Sequence, residues 1–178
     1  MHILLLTHYF PPEVNAPATR SWDHARRWVQ AGHQVTVVTC APNCPTGIVF
    51  DGYRNAWRSE ESQEGVRVIR VWTWLSANRG FAGRILNYVS YMLTALWCAV
   101  RLRNVDVLIA TSPQLFCGCA GLLCHWFRGW PFVLEIRDIW PESIVAVKAM
   151  KQRRLIGMLE WVERRLYAGA DHIVTVGD

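Results

Sequence analysis

The sequence predicts a doubly wound α/β fold: a mostly parallel sheet with helices on both faces. Two observations carry that expectation. Apolar, β-branched runs alternate along the chain with segments of helical periodicity. Several of those runs are apolar almost throughout, as strands covered on both faces must be. A third observation bounds it. A chain of 178 residues, 52% hydrophobic and 19% charged, can bury one real core and is too apolar to stay disordered. Crossovers between parallel strands are expected to be right-handed.

The elements follow in order. "MHILLLTHYF" gives a first strand over Ile3–Thr7 and lacks the Lys/Arg region and small-residue cleavage site of a signal peptide. A helix is expected over Ala18–Ala31, starting near Thr19 and Ser21 and stopped by Gly32. A strand follows over Gln34–Thr39. The segment Ala41–Gln63, with Pro42, Pro45, Gly47 and Gly52, reads as one long irregular loop. Next come a strand over Val66–Val71, a long helix over Phe81–Arg103 and a strand over Val105–Thr111. A helix over Pro113–Phe127 has Ser112 placed as its N-cap and proline in its first turn. A strand over Phe132–Arg137, a helix over Lys151–Ala168 and a strand over His172–Val176 complete the chain, which shows no internal repeat.

Charge and cysteine usage narrow the function classes. A net charge of +5 suits anionic partners: phosphorylated substrates, acidic headgroups or nucleic acid. No motif supports nucleic acid, and none is expected as a partner. The basic pairs Arg26-Arg27, Arg153-Arg154 and Arg164-Arg165 lie in helical patterns and read as solvated faces. Cys117, Cys119 and Cys124 stand beside His125, but no Cys-x-x-Cys pair occurs among the six cysteines. They read as small buried residues of a reduced cytosolic protein rather than as a metal site, and no metal is expected.

The run Ile85–Val100, "ILNYVSYMLTALWCAV", is uncharged and flanked by Arg84 and Arg101. A bilayer span needs about 20 apolar residues, and this run is shorter and holds Asn87, Ser90 and Thr94. Tyr88, Tyr91 and Trp97 are the amphipathic aromatics of membrane interfaces. A core helix, a helix whose outer face rests on a membrane, and a true span are all compatible with it.

In a doubly wound sheet ligands bind beyond the carboxyl ends of the strands. The loop after the first strand lacks the Gly-x-Gly-x-x-Gly of a dinucleotide site, which discounts an oxidoreductase. Pro11, Pro12 and Pro17 stiffen it, Asn15 and Thr19 supply polar groups, and Arg20 stands near a helix N-terminus that favours an anion. In "ATSPQ", Ser112 can cap a helix or touch a ligand; without a Gly-x-Ser-x-Gly elbow it is not a nucleophile. In "FVLEIRDIWPES", Arg137 and Asp138 are adjacent, so in extended geometry they point to opposite faces. They suit binding of a sugar or phosphate, or a proton-accepting carboxylate, and equally a loop ion pair with a helix cap.

The segments "LLTHYFPPEVNAPATRSWDHARRWVQAGHQVTVVTCAPN", "GVRVIRVWTW", "ATSPQ", "EIRDIWPESI" and "ADHIVTVGD" together resemble the amino-terminal domain of family 4 glycosyltransferases, most of all those acting on amino sugars in O-antigen and capsule assembly. The resemblance implies a GT-B architecture of two Rossmann-like domains, with acceptor on the amino-terminal side and nucleotide-sugar donor on the other. It implies transfer with retention, no metal or other cofactor, a lipid-linked sugar acceptor, and a cytoplasmic location peripheral to the inner face of the plasma membrane. By matched position Asn15, Ala16 and Arg20 line the substrates, Asp138 is the catalytic carboxylate and Glu142 stands by as a substrate contact; Ser112, from its place at a strand end, is expected as a further substrate contact. Arg137 occupies the place of a family histidine; a guanidinium cannot accept a proton, so it binds rather than catalyses. The donor domain's Glu-x7-Glu pattern is absent, since no two glutamates stand eight apart. Residues 1–178 are thus expected to form a single acceptor-side domain, with the donor domain missing or supplied as a separate chain. The alternative is a non-catalytic binding or scaffold module, or a subunit of a split transferase.

Overall fold

A computed structural model describes residues 1–76, 81–112, 115–137 and 153–175. The elements run β1 (His2–Leu6), α1 (Ala16–Gln30), β2 (Gln34–Cys40), β3 (Arg58–Gln63), β4 (Val66–Val71), α2 (Phe81–Ala99), β5 (Val107–Thr111), α3 (Leu115–Arg128), β6 (Phe132–Ile136), α4 (Arg153–Gly169) and β7 (His172–Thr175). They form one seven-stranded sheet in the order β3-β4-β2-β1-β5-β6-β7. Every neighbouring pair is parallel except β3 with β4. The expected α/β architecture is present.

Strand alternation splits the core between the two sheet faces. Leu4, Leu6, Val38, Ile69, Leu108 and Phe132 point to the face covered by α2, α3 and α4. Leu5, Val35, Val37, Val66 and Val68 point to the other, where Ala25, Trp22, Trp28 and Val29 of α1 meet them. This two-sided covering is the reason the central strands read as unbroken apolar runs.

The cysteines follow the packing reading. Cys40, Cys98, Cys117 and Cys124 are buried and all six are free thiols. Burial pushes Cys117 and Cys124 up to about 12, which keeps them protonated.

The structure corrects several boundaries. The segment expected to be one irregular loop contains β3, which pairs antiparallel with β4 through the turn at Glu64 and Gly65. Both turn residues have positive φ, 46° and 84°, the signature of a tight hairpin whose twist matches the strands. Helix α1 starts at Ala16 rather than Ala18, because the Asn15 side chain accepts the Ala18 N–H at 2.9 Å and Pro17 is tolerated in the first turn. Helix α2 stops at Ala99, and β5 starts at Val107.

Tyr91, Ala95, Cys98 and Ala99 of α2 lie in the core. Among the described residues no helix is long and apolar enough to cross a membrane. Helix α2 is therefore a core helix with one solvent-facing stripe. The Tyr91 hydroxyl donates toward Thr7 O at 3.0 Å and Val38 O at 2.8 Å, so this level of α2 sits at the carboxyl edge of β1 and β2.

Candidate functional site at the carboxyl edge of the sheet

The ends of β1, β5 and β6 and the first turns of α1 meet at one edge. Their meeting is fixed by hydrogen bonds between sequence-distant residues. The Ser112 N–H donates to Glu135 O at 2.9 Å, and the Arg137 N–H donates to Ser112 Oγ at 2.6 Å. Ser112 thus ties the end of β5 to the end of β6. Its expected use as a helix cap falls where residues 113–114 lie outside the described residues, α3 being described from Leu115.

Glu135 is the group the sequence reading missed. It sits on β6, 8% exposed, and takes Nε and Nη2 of Arg20 on its Oε1 at 2.7 and 2.6 Å. His24 Nε2 lies 3.9 Å from the same oxygen, and its ring stacks on Trp28. A carboxylate inside the otherwise apolar "FVLEI" was the available signal, since a buried charge needs a partner. Arg20 therefore does not stand free for a phosphate; its fork is already occupied along one edge.

These residues border an open cleft of about 780 Å³, lined by Val14, Ala16, Thr19, Arg20, Asp23, His24, Arg27 and Arg137. The spacing 16, 19, 20, 23, 24, 27 is one face of α1. Arg27, read as part of a solvated pair, belongs to that face. Asp23 pairs with Arg26 at 3.4 Å. Among the described residues no carboxylate pairs with Arg27 or Arg137. The Nη1 of Arg137 is buried and has no hydrogen-bond partner among the described residues. A buried guanidinium N–H without an acceptor is costly, so this atom calls for an anion or a hydroxyl oxygen from the cleft. The cleft is cationic.

Asn15 uses its side chain to cap α1 and does not line the cleft, whereas Ala16 does. Asp138 and Glu142 lie outside the described residues. The structure thus brings together Ala16, Arg20 and Arg137, with Ser112 as their support.

A second, smaller pocket of about 20 Å³ lies nearby, between the loop after β1, the loop after β2 and α2. It is lined in part by His8, Tyr9, Asn43, Arg84, Asn87 and Tyr88, and has room for one water-sized group. His8 is surrounded by the rings of Tyr9, Tyr88 and Tyr91 at centroid distances of 4.9, 5.6 and 5.0 Å. Burial pushes its imidazole down to about 4, against the opposing hydrogen bond to Asn87. Glu13, 3% exposed, ties the two loops by accepting the N–H groups of Asn43 and Cys44 at 2.9 and 2.8 Å. Burial raises its carboxyl, while those bonds and the charge of Arg70 oppose the rise. Among the described residues no three metal-ligating side chains gather.

Comparison with known proteins agrees with this topology. The sucrose-phosphate synthase of Thermosynechococcus elongatus superposes with a TM-score of 0.64 at 11% identity, covering 97% of this chain and 41% of that one. The catalytic domain of starch synthase IV from Arabidopsis thaliana, bound to ADP and acarbose, superposes with a TM-score of 0.56 at 9% identity, covering 77% and 34%. At such identities the likeness is one of fold, and the chain spans well under half the length of either neighbour. No curated protein sequence matches the chain. In sequence, residues 15–178 match the glycosyl transferase 4-like domain. The chain belongs to the glycosyl transferase 4-like domain family.

Proposed function

We propose that the chain is the acceptor-side domain of a retaining glycosyltransferase that works without a metal. It serves to move a sugar from a nucleotide-sugar to a lipid-linked or polysaccharide acceptor in surface polysaccharide assembly, of the O-antigen or capsule kind. The work is done in the cytoplasm, peripherally at the inner face of the plasma membrane. In the transfer the anomeric C–O bond to phosphate breaks, a new C–O bond to an acceptor hydroxyl forms as that hydroxyl gives up its proton to a base, and the nucleoside diphosphate leaves with the negative charge. Holding both substrates requires a second wall to the cleft, supplied by a donor domain in this or a partner chain. Asp138 is the catalytic carboxylate on this reading, with Asn15, Ala16, Arg20, Arg137 and Glu142 around the substrates.

The observation that carries the reading is Arg137: a buried guanidinium N–H without a partner among the described residues, on a cationic cleft at the carboxyl edge, in a chain of this family. Its test is transfer of label from a panel of nucleotide-sugars to membrane extract, with and without a separately expressed donor domain of the family. Transfer is expected only with the donor domain, and is lost in Asp138→Ala with the fold intact. Transfer by the chain alone would overturn the division of labour. Acceptor binding without transfer in any combination would favour the scaffold reading.

A further inference from the structure

We infer that the outer stripe of α2 and the neighbouring β3–β4 edge form a docking surface for an anionic phospholipid bilayer. Leu86, Leu93 and Trp97 are 52%, 55% and 39% exposed. At about 100° per residue they fall within roughly 40° of arc, so they form one stripe along the helix. The backbone of Trp74 is bound beside it, its N–H to Ser90 Oγ at 2.8 Å and its carbonyl to Asn87 Nδ2 at 2.8 Å. Trp57 packs edge-on against Trp97 at 5.5 Å. Trp57 and Trp74 are 56% and 52% exposed. Three tryptophans and two leucines on one solvent-facing strip exceed the scatter of single apolar residues that surfaces normally carry.

The chemistry of the rim chooses the occupant. The Arg101 guanidinium lies 3.7 Å over the Trp97 ring and donates to Trp97 O at 2.6 Å. A cation resting on an interfacial indole suits a boundary between headgroups and acyl chains better than it suits a dry protein interface. Arg58 and Arg67 flank the same edge, and Glu60 between them is already paired with both. The rim is therefore net positive, as is the chain at +5, and complements acidic headgroups.

The helix that carries the stripe also borders the carboxyl edge of the sheet, with other residues. Arg84, Asn87 and Tyr88 of the same helix line the small pocket beside His8 and Tyr9. The inference rests on the reading of a lipid-linked acceptor handled at the membrane.

The test is sedimentation of the chain with phosphatidylcholine vesicles made with and without phosphatidylglycerol. Binding is expected with the anionic vesicles, weakened by salt and accompanied by a blue shift of tryptophan emission. The double variant Leu86→Gln/Leu93→Gln should keep its circular dichroism and lose about tenfold or more in partitioning, given the transfer energy of two leucines. Arg101→Glu should weaken binding only to the anionic vesicles. Met158→Gln, an equally exposed site on α4, should bind as the wild type does. Absence of binding by the wild type, or undiminished binding by the folded double variant, overturns the surface. So does a dimer that the same double variant dissociates without any vesicle binding, which would make the occupant a second copy. The assay contains no sugar or acceptor, so its failure leaves the transferase reading to the transfer assay.

Discussion

Arg70 shows what single residues do here. Its guanidinium, 3% exposed, binds Glu61 at 2.6 Å, Cys40 O at 3.0 Å and Pro11 O at 2.5 Å, and faces the Tyr53 ring. It therefore pins the loop after β1 to the end of β2 and to β3. Its partners stand 9, 30 and 59 residues away, which is the reason the strand "VRVIRV" was legible and this role was not. Arg70→Met should cost about 3 kcal/mol, because one buried and one part-buried carbonyl lose a charged donor; partial exposure of Glu61 spares the rest. Arg67→Met, at an exposed pair, should cost less than about 1 kcal/mol. Urea unfolding of both variants checks this; equal costs would mean that burial does not set the value of the pair. His8 gives the pH dependence. Its folded pKa is about 4 against an ordinary 6.5, so the unfolded chain takes the proton first. Stability is fully present above pH 6.5 and is lost as pH falls from there to about 4, on the order of 3 kcal/mol in all. His8→Asn should flatten that part of the profile; an unchanged difference between wild type and variant at pH 7 and pH 4.5 would refute the assignment.

At the level of elements, strands buried on both faces were readable because burial leaves an apolar record. Strand β3, "RSEESQ", leaves none. It lies at the sheet edge, faces water, and is held by backbone pairing with β4 and by ion pairs of Glu60 and Glu61 with Arg67 and Arg70. Its signals were the Glu64-Gly65 turn and the arginines opposite its glutamates, which need a pairing register before they mean anything. The site had the same limit: Arg137 was legible from its place at a strand end, whereas the tie between Arg20 and Glu135 spans 115 residues. Packing of α3 gives a sharper test. A Cβ on Gly121 would stand 2.6 Å from Phe132 and 2.9 Å from Ala110, so α3 sits on β5 and β6 only because that side chain is missing. Gly121→Ala should destabilise by about 1–3 kcal/mol. Gly157 on α4 has nothing within 4 Å of its Cβ position, so Gly157→Ala should stabilise by about 1 kcal/mol through helix propensity alone. Thermal unfolding of the pair decides; stabilisation by both would mean that α3 can lift from the sheet at no cost.

For the whole molecule, stability should be graded from the middle of the sheet to its edges, and the site lies where the gradient is steep. All five residues of β1 are buried, as are six of the seven of β2, whereas all four of β7 are exposed and β3 has no fully buried residue. Opening β1 or β2 must break both apolar cores, while opening β7 or β3 exposes little. The carboxyl-edge cleft draws Arg20 from α1, which is anchored over β1 and β2, and Arg137 from the end of β6, next to the exposed β7. One side of the cleft is thus rigid and the other can yield, which is the mechanical arrangement a site needs if a second domain is to close on it. Amide hydrogen exchange followed by mass spectrometry should place the peptides of β1, β2 and β4 among the slowest. Peptides of β7 and β3 should exchange at least about tenfold sooner, a difference of about 1.4 kcal/mol in opening free energy. If β6 and β7 were as protected as β1, the cleft would be rigid on both sides, and any closure would have to come from the second domain alone.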